Sequence, residues 1–248
     1  NVLKVLLTIG SLNNKKYGGG ATALLDAACN GTNDRTALLL NAGVDVNNQD
    51  SLKRSALTLS AEGGHIAVVE LLLNNNANIN IINNEDATPL VQAIYKENPD
   101  IAELLINQGA DITLADKYGK TPLIYAAEVN TTKIVTLLVS KEARINHTSI
   151  HGHTALLLAS NNNSFESVKI LLSNGADINH IDNTGKSAIA YAVRKNHNEL
   201  ARYLIQSGSN VNLIDSKGNS LLMLALLGNN SEIAEILIEN GIDLETVP

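Results

Sequence analysis

Tryptophan is absent from this 248-residue chain; phenylalanine, methionine and cysteine occur once each, and proline four times. With 44% of residues hydrophobic, the apolar mass is leucine, isoleucine, valine and alanine, small aliphatic side chains that suit closely packed helices. The lone Cys29 rules out an internal disulfide framework and any cysteine-based zinc cluster. It fits a reducing compartment, so a cytoplasmic location is expected. No apolar run approaches the roughly 18 residues needed to cross a bilayer; the longest, Leu221 to Leu227, has seven. Membrane insertion is therefore not expected. Positive charge is scarce as well: a net charge of −7 and a pI near 5.3 argue against generic binding to nucleic acid or to an anionic membrane.

The groupings that catalysis needs are also missing from the sequence. There is no convergent nucleophile and base, no paired carboxylates, no metal cluster and no phosphate cradle. Asp26 sits near Cys29 but cannot form a Cys-His pair, and Gly18-Gly19-Gly20 lacks the Lys-Ser/Thr of a phosphate loop. Neither an enzyme nor a cofactor is expected. Asparagine runs such as Asn74-Asn75-Asn76 and Asn161-Asn162-Asn163 read as turn residues and biased composition.

What the chain does have is a fixed period. Ser/Thr-x-Leu/Ile recurs at Thr22, Ser55, Thr88, Thr121, Thr154, Ser187 and Ser220, every interval being 33 residues. One supersecondary unit stacked repeatedly gives that pattern, so the expected architecture is a solenoid, with function on a surface. Thr88 and Thr121 stand where a hydroxyl can cap a helix, and Pro89 and Pro122 follow at the first helical position, where a missing N–H costs nothing. Ala126-Ala127 allow a first helix to approach its neighbours closely, while Ile134, Val135, Leu137 and Leu138 give a second helix its apolar face. Gly43, Gly109, Gly175, Gly208 and Gly241 fall just past the second helix, where a left-handed residue ends it. Asn76 and Glu142 replace that glycine; Asn tolerates the conformation and Glu does not, so the 141–144 turn is expected to be strained or differently shaped. A second glycine series, Gly20, Gly119, Gly152, Gly185 and Gly218, suits a projecting hairpin and is interrupted at Lys53 and Asp86.

The segment D116-K-Y-G-K-T-P-L-I-Y-A-A, with T-P-L at 88–90 and G-A-D at 109–111 and 175–177, resembles the ankyrin repeat. That resemblance covers essentially the whole chain. It implies an all-α solenoid of stacked helix-turn-helix units with projecting β-hairpin loops, in repeats of about 17–49, 50–82, 83–115, 116–148, 149–181, 182–214 and 215–248. Residues 1–14 would be the second helix of a truncated repeat, since Leu6-Leu7 are in phase with Leu39-Leu40; residues upstream are inferred to have been removed or to lie elsewhere. The other reading of Val2 to Ile9, a signal-peptide core, is less consistent with that phase. The triple glycine makes the first hairpin, Lys15 to Ala21, the segment expected to be most mobile. Glu232, Glu235 and Glu239 give the last second helix the polar face of a cap. The histidine that the family carries after T-P-L is replaced throughout, by Leu25, Thr58, Val91, Ile124, Leu157, Ala190 and Met223. A hydrogen-bond network between repeats is therefore expected to be missing, with apolar contact in its place.

The resemblance also implies where a partner binds: a concave groove lined by the hairpin tips and the exposed side of the first helices. The expected partner-binding residues are Arg54, Tyr95, Lys96, Lys117, Tyr118, Lys120, His151, His153, Lys186, Arg194, Lys195 and Lys217. Their basic members outnumber Glu62, Glu85 and Glu128 at neighbouring groove positions, while Glu70, Glu103, Glu166 and Glu199 mark the second helices as acidic. A protein partner with an acidic or peptide-like segment would be steered to such a groove. The same cations also suit plain solvation of a surface, and that reading stays open. Tyr95 and Tyr118 are exposed aromatic anchors in the first reading and rest against a neighbouring repeat in the second. His147 and His180 share a phase, so their rings could approach each other around a metal, although turn histidines explain them as well. The function classes in play are an interaction module, as adaptor, scaffold or targeting segment, and a structural spacer with an empty groove. A monomer is expected, and nucleic acid is not an expected partner.

Overall fold

In a computed structural model of the chain, residues 23–243 are described. The truncated repeat at 1–14, the hairpin at 15–21 and the capping position Thr22 lie outside them. The described residues form fourteen helices in seven pairs. The pairs are α1 (Ala23–Cys29) with α2 (Asn33–Asn41), α3 (Ala56–Glu62) with α4 (Ile66–Asn74), and α5 (Pro89–Tyr95) with α6 (Pro99–Asn107). They continue with α7 (Pro122–Glu128) and α8 (Thr132–Ser140), α9 (Ala155–Asn161) and α10 (Phe165–Ser173), α11 (Ala188–Arg194) and α12 (Asn198–Gln206), and α13 (Leu221–Leu227) and α14 (Ser231–Glu239). Every first helix has 7 residues and every second helix 9, so the uniform sequence period is also a uniform structural one.

The first helices start as their sequences dictate. Ser55, Thr88, Thr154, Ser187 and Ser220 have extended backbone, and each hydroxyl accepts from the amide three residues on. Thr121 departs from expectation. Its backbone is the same, at φ −83° and ψ 165°, yet its hydroxyl makes no capping bond and is buried without a partner among the described residues. Pro122 at the first helical position leaves one fewer amide to satisfy there.

The second helices end in a left-handed residue, with two backbone bonds closing the turn. At 109–110, Gly109 N–H donates to Ile106 O and Ala110 N–H to Leu105 O. Glu142 adopts the same conformation, at φ +62°. Its N–H donates to Val139 O, and Ala143 N–H donates to Leu138 O. The 141–144 turn is therefore strained but not differently shaped. Lys53 and Asp86 likewise occupy the left-handed region in the hairpins where other repeats have glycine.

The described chain divides into two compact units, one ending at Lys117 and the other beginning at Tyr118. In the first, α1, α3 and α5 pack side by side and α2, α4 and α6 lie behind them; in the second, α7, α9, α11 and α13 are backed by α8, α10, α12 and α14. The first helices are buried on nearly every side, which is why they carry so much alanine: Ala27, Ala61, Ala93, Ala126, Ala159, Ala192 and Ala225 are all fully buried. Leu25, Thr58, Val91, Ile124, Leu157 and Ala190, which stand where the family has histidine, are buried too.

Candidate functional site

The hairpins that precede the first helices are built on a buried polar residue. Asp50 Oδ1 accepts from the N–H groups of Leu52 and Arg54, and Asn83 Oδ1 from those of Glu85 and Ala87. Ser149, Asp182 and Asp215 repeat the arrangement with the residues two and four further on. Adjacent tips are then stitched together through the backbone. Asn84 N–H donates to Leu52 O and Lys117 N–H to Glu85 O in the first unit; Ile150, Asn183 and Ser216 donate to Tyr118, His151 and Thr184 in the second. Within each unit the result is a set of fixed hairpins that lead into the N-terminal ends of the first helices.

The basic residues placed on this face differ in their surroundings. Arg54 folds back on its own hairpin, its Nη2 2.7 Å from Asp50 Oδ2, and the carboxylate is almost fully buried. Lys117 lies 2.5 Å from Glu85, and Lys120 grips both oxygens of Glu128 at 2.7 and 2.8 Å. Lys120 also stands 5.1 Å from the centre of the Tyr125 ring, and Lys96 5.2 Å from that of Tyr95. Lys186 donates to Thr184 Oγ1. Among the described residues, Lys96, Lys186, Arg194, Lys195 and Lys217 have no ion-pair partner. In the second unit these cations belong to the last two hairpins and the end of α11, and in the first unit Lys96 is left without an ion pair as well. Tyr95 and Tyr118 are exposed, at 53% and 41%; the first belongs to one unit and the second to the other.

Lys186, Arg194 and Lys217 line one cavity of about 190 Å³ together with Asp215, Asn219 and Leu224. Burial tends to raise the Asp215 pKa, but bonds from Asn219 and Lys217 N–H and the nearby Lys186 charge hold it below the ordinary carboxylate range. One repeat earlier, the corresponding space contains Tyr191, whose hydroxyl donates to Asp182 Oδ2 at 2.5 Å. Burial and the adjacent carboxylate push the Tyr191 phenol well above its usual range. Burial alone would raise the Asp182 pKa, but bonds from Thr184 and Tyr191 outweigh it and hold Asp182 ionised. His153 Nε2 lies 3.8 Å from Asp182 Oδ2, and the His151 and His153 rings are 5.8 Å apart. Burial lowers the His153 pKa in spite of the Asp182 charge.

His147 and His180 do not approach each other. Each Nε2 meets a hairpin carbonyl, Gly119 O at 3.0 Å and Gly152 O at 2.8 Å, and because a carbonyl only accepts, that nitrogen carries the proton. No group of three or more His, Cys, Asp or Glu among the described residues could hold a metal ion, and no helix is long and apolar enough to cross a membrane. His65, distant from Cys29 in sequence, reaches it in space, but at the backbone carbonyl, 3.1 Å from Nε2. A Cβ on either Gly31 or Gly63 would run into that ring.

The expectation that hydrogen bonding between repeats is missing is overturned. The role of the absent family histidine is taken at other phases. At the start of the second helices, His65, Asn98 and His197 donate to carbonyls at the end of the first helix of the previous pair. A second series joins the turns after the second helices. The Oδ1 atoms of Asn47, Asn80, Asn146, Asn179 and Asn212 accept from the amides of Asn78, Asp111, Asp177, Asn210 and Asp243. These asparagines are structural bridges as well as turn formers. The recurrence of Asn at 47, 80, 146, 179 and 212, in phase with the 33-residue period, was the available signal.

Known proteins share this arrangement in part. A 91-residue stretch is 36% identical to the ankyrin repeat and KH domain-containing protein mask-1 of Caenorhabditis elegans. Stretches of 73 and 72 residues are each 38% identical to mask of Drosophila melanogaster and to the human ankyrin repeat and KH domain-containing protein 1. These matches cover 28–36% of the chain and only 2–4% of the relatives, so the likeness is confined to the repeats. The family described as ankyrin repeats (3 copies) matches residues 1–83, 24–116, 90–182 and 157–247. Together with the paired helices, capped starts and stitched hairpins, that match means that the chain belongs to the ankyrin repeat family, whose repeats are protein-interaction modules.

Proposed function

We propose that this chain binds an acidic, peptide-like segment of a protein partner on its hairpin face, acting as an adaptor or scaffold or as the targeting segment of a larger protein. The observation that carries this reading is the contrast in charge between the two faces. In the second unit Lys186, Arg194, Lys195 and Lys217 stand on the hairpin side without ion-pair partners among the described residues, while Glu199, Glu235 and Glu239 are exposed on the second helices and Glu166 and Glu232 pair there with Lys169 and Arg202. Such a field draws an acidic segment to one side and repels it from the other. The lone cysteine supports a reducing, cytoplasmic setting, and we include a monomeric state in the proposal. A spacer is the competing reading, and the bridges between helix pairs within each unit favour it.

The test is affinity capture from the source organism's lysate with the native chain and with a variant carrying Lys186, Arg194, Lys195 and Lys217 changed to Glu, its helix content checked by circular dichroism. Proteins retained by the native chain and lost from the folded variant support groove binding. Identical capture by both removes this face from the mechanism, and capture by neither leaves the spacer.

A further inference from the structure

The internal repeat supplies its own control for what one hairpin lacks. In the pair formed by α7 and α8, the cation before the cap, Lys120, is paired with Glu128 at the end of the first helix. The second helix pair carries the same charges at these phases, Arg54 and Glu62. There, burial raises the Glu62 pKa while the Arg54 charge opposes the rise. Two repeats after Lys120 and Glu128, the same phases hold Lys186 and Arg194. The cation is kept and the acid has become a second cation. Like charges brought together in the folded chain cost free energy unless something offsets them, and Lys217 on the next hairpin adds a third around the same cavity.

The space between them is also explained by sequence. Tyr191 occupies one repeat's version of this position, and its counterpart 33 residues on is Leu224. Without a phenol, the cavity of about 190 Å³ remains open. Its one acid, Asp215, is buried and already accepts from Lys217 N–H, Asn219 N–H and Asn219 Nδ2. Three residues beyond Leu224 on the same helix is Leu227, which is 68% exposed and occupies the phase of Arg194 in the next helix pair.

From this we infer that the cavity between Lys186, Arg194 and Lys217 is a seat for one carboxylate side chain of a bound protein segment, with an adjacent apolar residue of that segment lying on Leu224 and Leu227. The incoming carboxylate takes the place that Glu128 fills two repeats earlier. The planar guanidinium of Arg194 can donate two parallel bonds to it, and the ammonium groups supply the remaining charge. The inference rests on the proposed binding of an acidic segment and specifies where and how it docks.

Titration of the isotope-labelled chain with a synthetic peptide of alternating Glu and Leu, followed by NMR, tests it, with the Gln-Leu peptide as control. The expected result is a shift of the Arg194 Nε–H signal and of the Leu224 and Leu227 methyls, seen only with the Glu peptide. Arg194→Glu should weaken binding at least about tenfold and, by restoring the Lys-Glu pair, leave the thermal midpoint equal or higher; Arg194→Gln should weaken binding without that stabilisation. Binding of the Glu peptide elsewhere on the hairpin face overturns the seat and leaves the wider proposal standing. Absence of any binding by the Glu peptide overturns both. Stronger displacement of the Arg194 signal by a single-stranded oligonucleotide than by the peptide overturns the assignment to a protein carboxylate.

Discussion

The hairpins at 116–121 and 182–187 have the same sequence period, and Asp116 and Tyr125 stand at the phases of Asp182 and Tyr191, yet the cation before the cap meets a different charge in each. In one, Lys120 bonds both oxygens of Glu128; in the other, the phase of Glu128 holds Arg194, and Tyr191 donates to the buried Asp182. The tie through Tyr191 uses no cation. It leaves Arg194 exposed and Lys186 without an acidic partner among the described residues, and under the proposed binding that difference makes the later hairpin the place to bind. A family consensus would treat them alike, because both satisfy the repeat.

The largest effect should come from breaking the tyrosine tie. Tyr191→Phe removes a hydrogen bond to an ionised carboxylate, worth about 2 kcal/mol, and keeps the ring. A fall in the urea midpoint of that size, little altered by salt, is expected from chemical denaturation of the full chain. If the Phe variant matches the native chain, the phenol is decorative and Asp182 is held by its bonds from Thr184 and Lys186 alone.

The ion-pair tie should be weaker. Lys120 is mostly buried and Glu128 about one-third exposed, and pairs near the surface contribute about 1 kcal/mol or less because solvent screens them. A double-mutant cycle through Lys120→Met and Glu128→Gln is expected to return a coupling of about that size, shrinking in 0.5 M salt. A coupling that persists in salt would mean that the pair is fastened more like Asp182 and Tyr191, and the contrast between the hairpins would narrow.

Much of this was legible before any coordinates, and the parts that were not share a cause. Helix starts, helix ends and the small-residue faces follow from local rules, so Ser55, Pro89, Gly109 and Ala126 could be placed from sequence. Where each candidate residue falls, on a hairpin or at the end of a first helix, followed from its phase. Which cations lack an acid did not, because pairing depends on side chains eight residues or a whole repeat apart, as with Lys120 and Glu128 or Lys117 and Glu85. The same limit explains why the asparagines looked compositional: a carboxamide at 47 bonding an amide at 78 is visible only once the repeats are stacked. The seat around Arg194 had one sequence signal, the change from Glu at 128 to Arg at 194.

The smallest predicted effect concerns the helix ends, where the left-handed position is Glu142 after α8 and Gly175 after α10. Both close with the same two backbone bonds, at Glu142 and Ala143 in one and at Gly175 and Ala176 in the other. Glu142 has φ +62° and Gly175 φ +86°, and only the first bears a Cβ that crowds the following carbonyl, a strain of roughly 1–2 kcal/mol. Glu142→Gly removes it but also gives the unfolded chain more conformations, which takes back roughly 0.5–1 kcal/mol. The net expectation is a gain of about 0.5 kcal/mol, read as a rise in the urea midpoint. Glu142→Ala keeps the Cβ and should show no such gain, which separates relief of strain from loss of a charge on an acidic face. Equal stabilisation by the Ala and Gly variants would assign the effect to charge, and the two helix ends would then be equivalent in backbone energy.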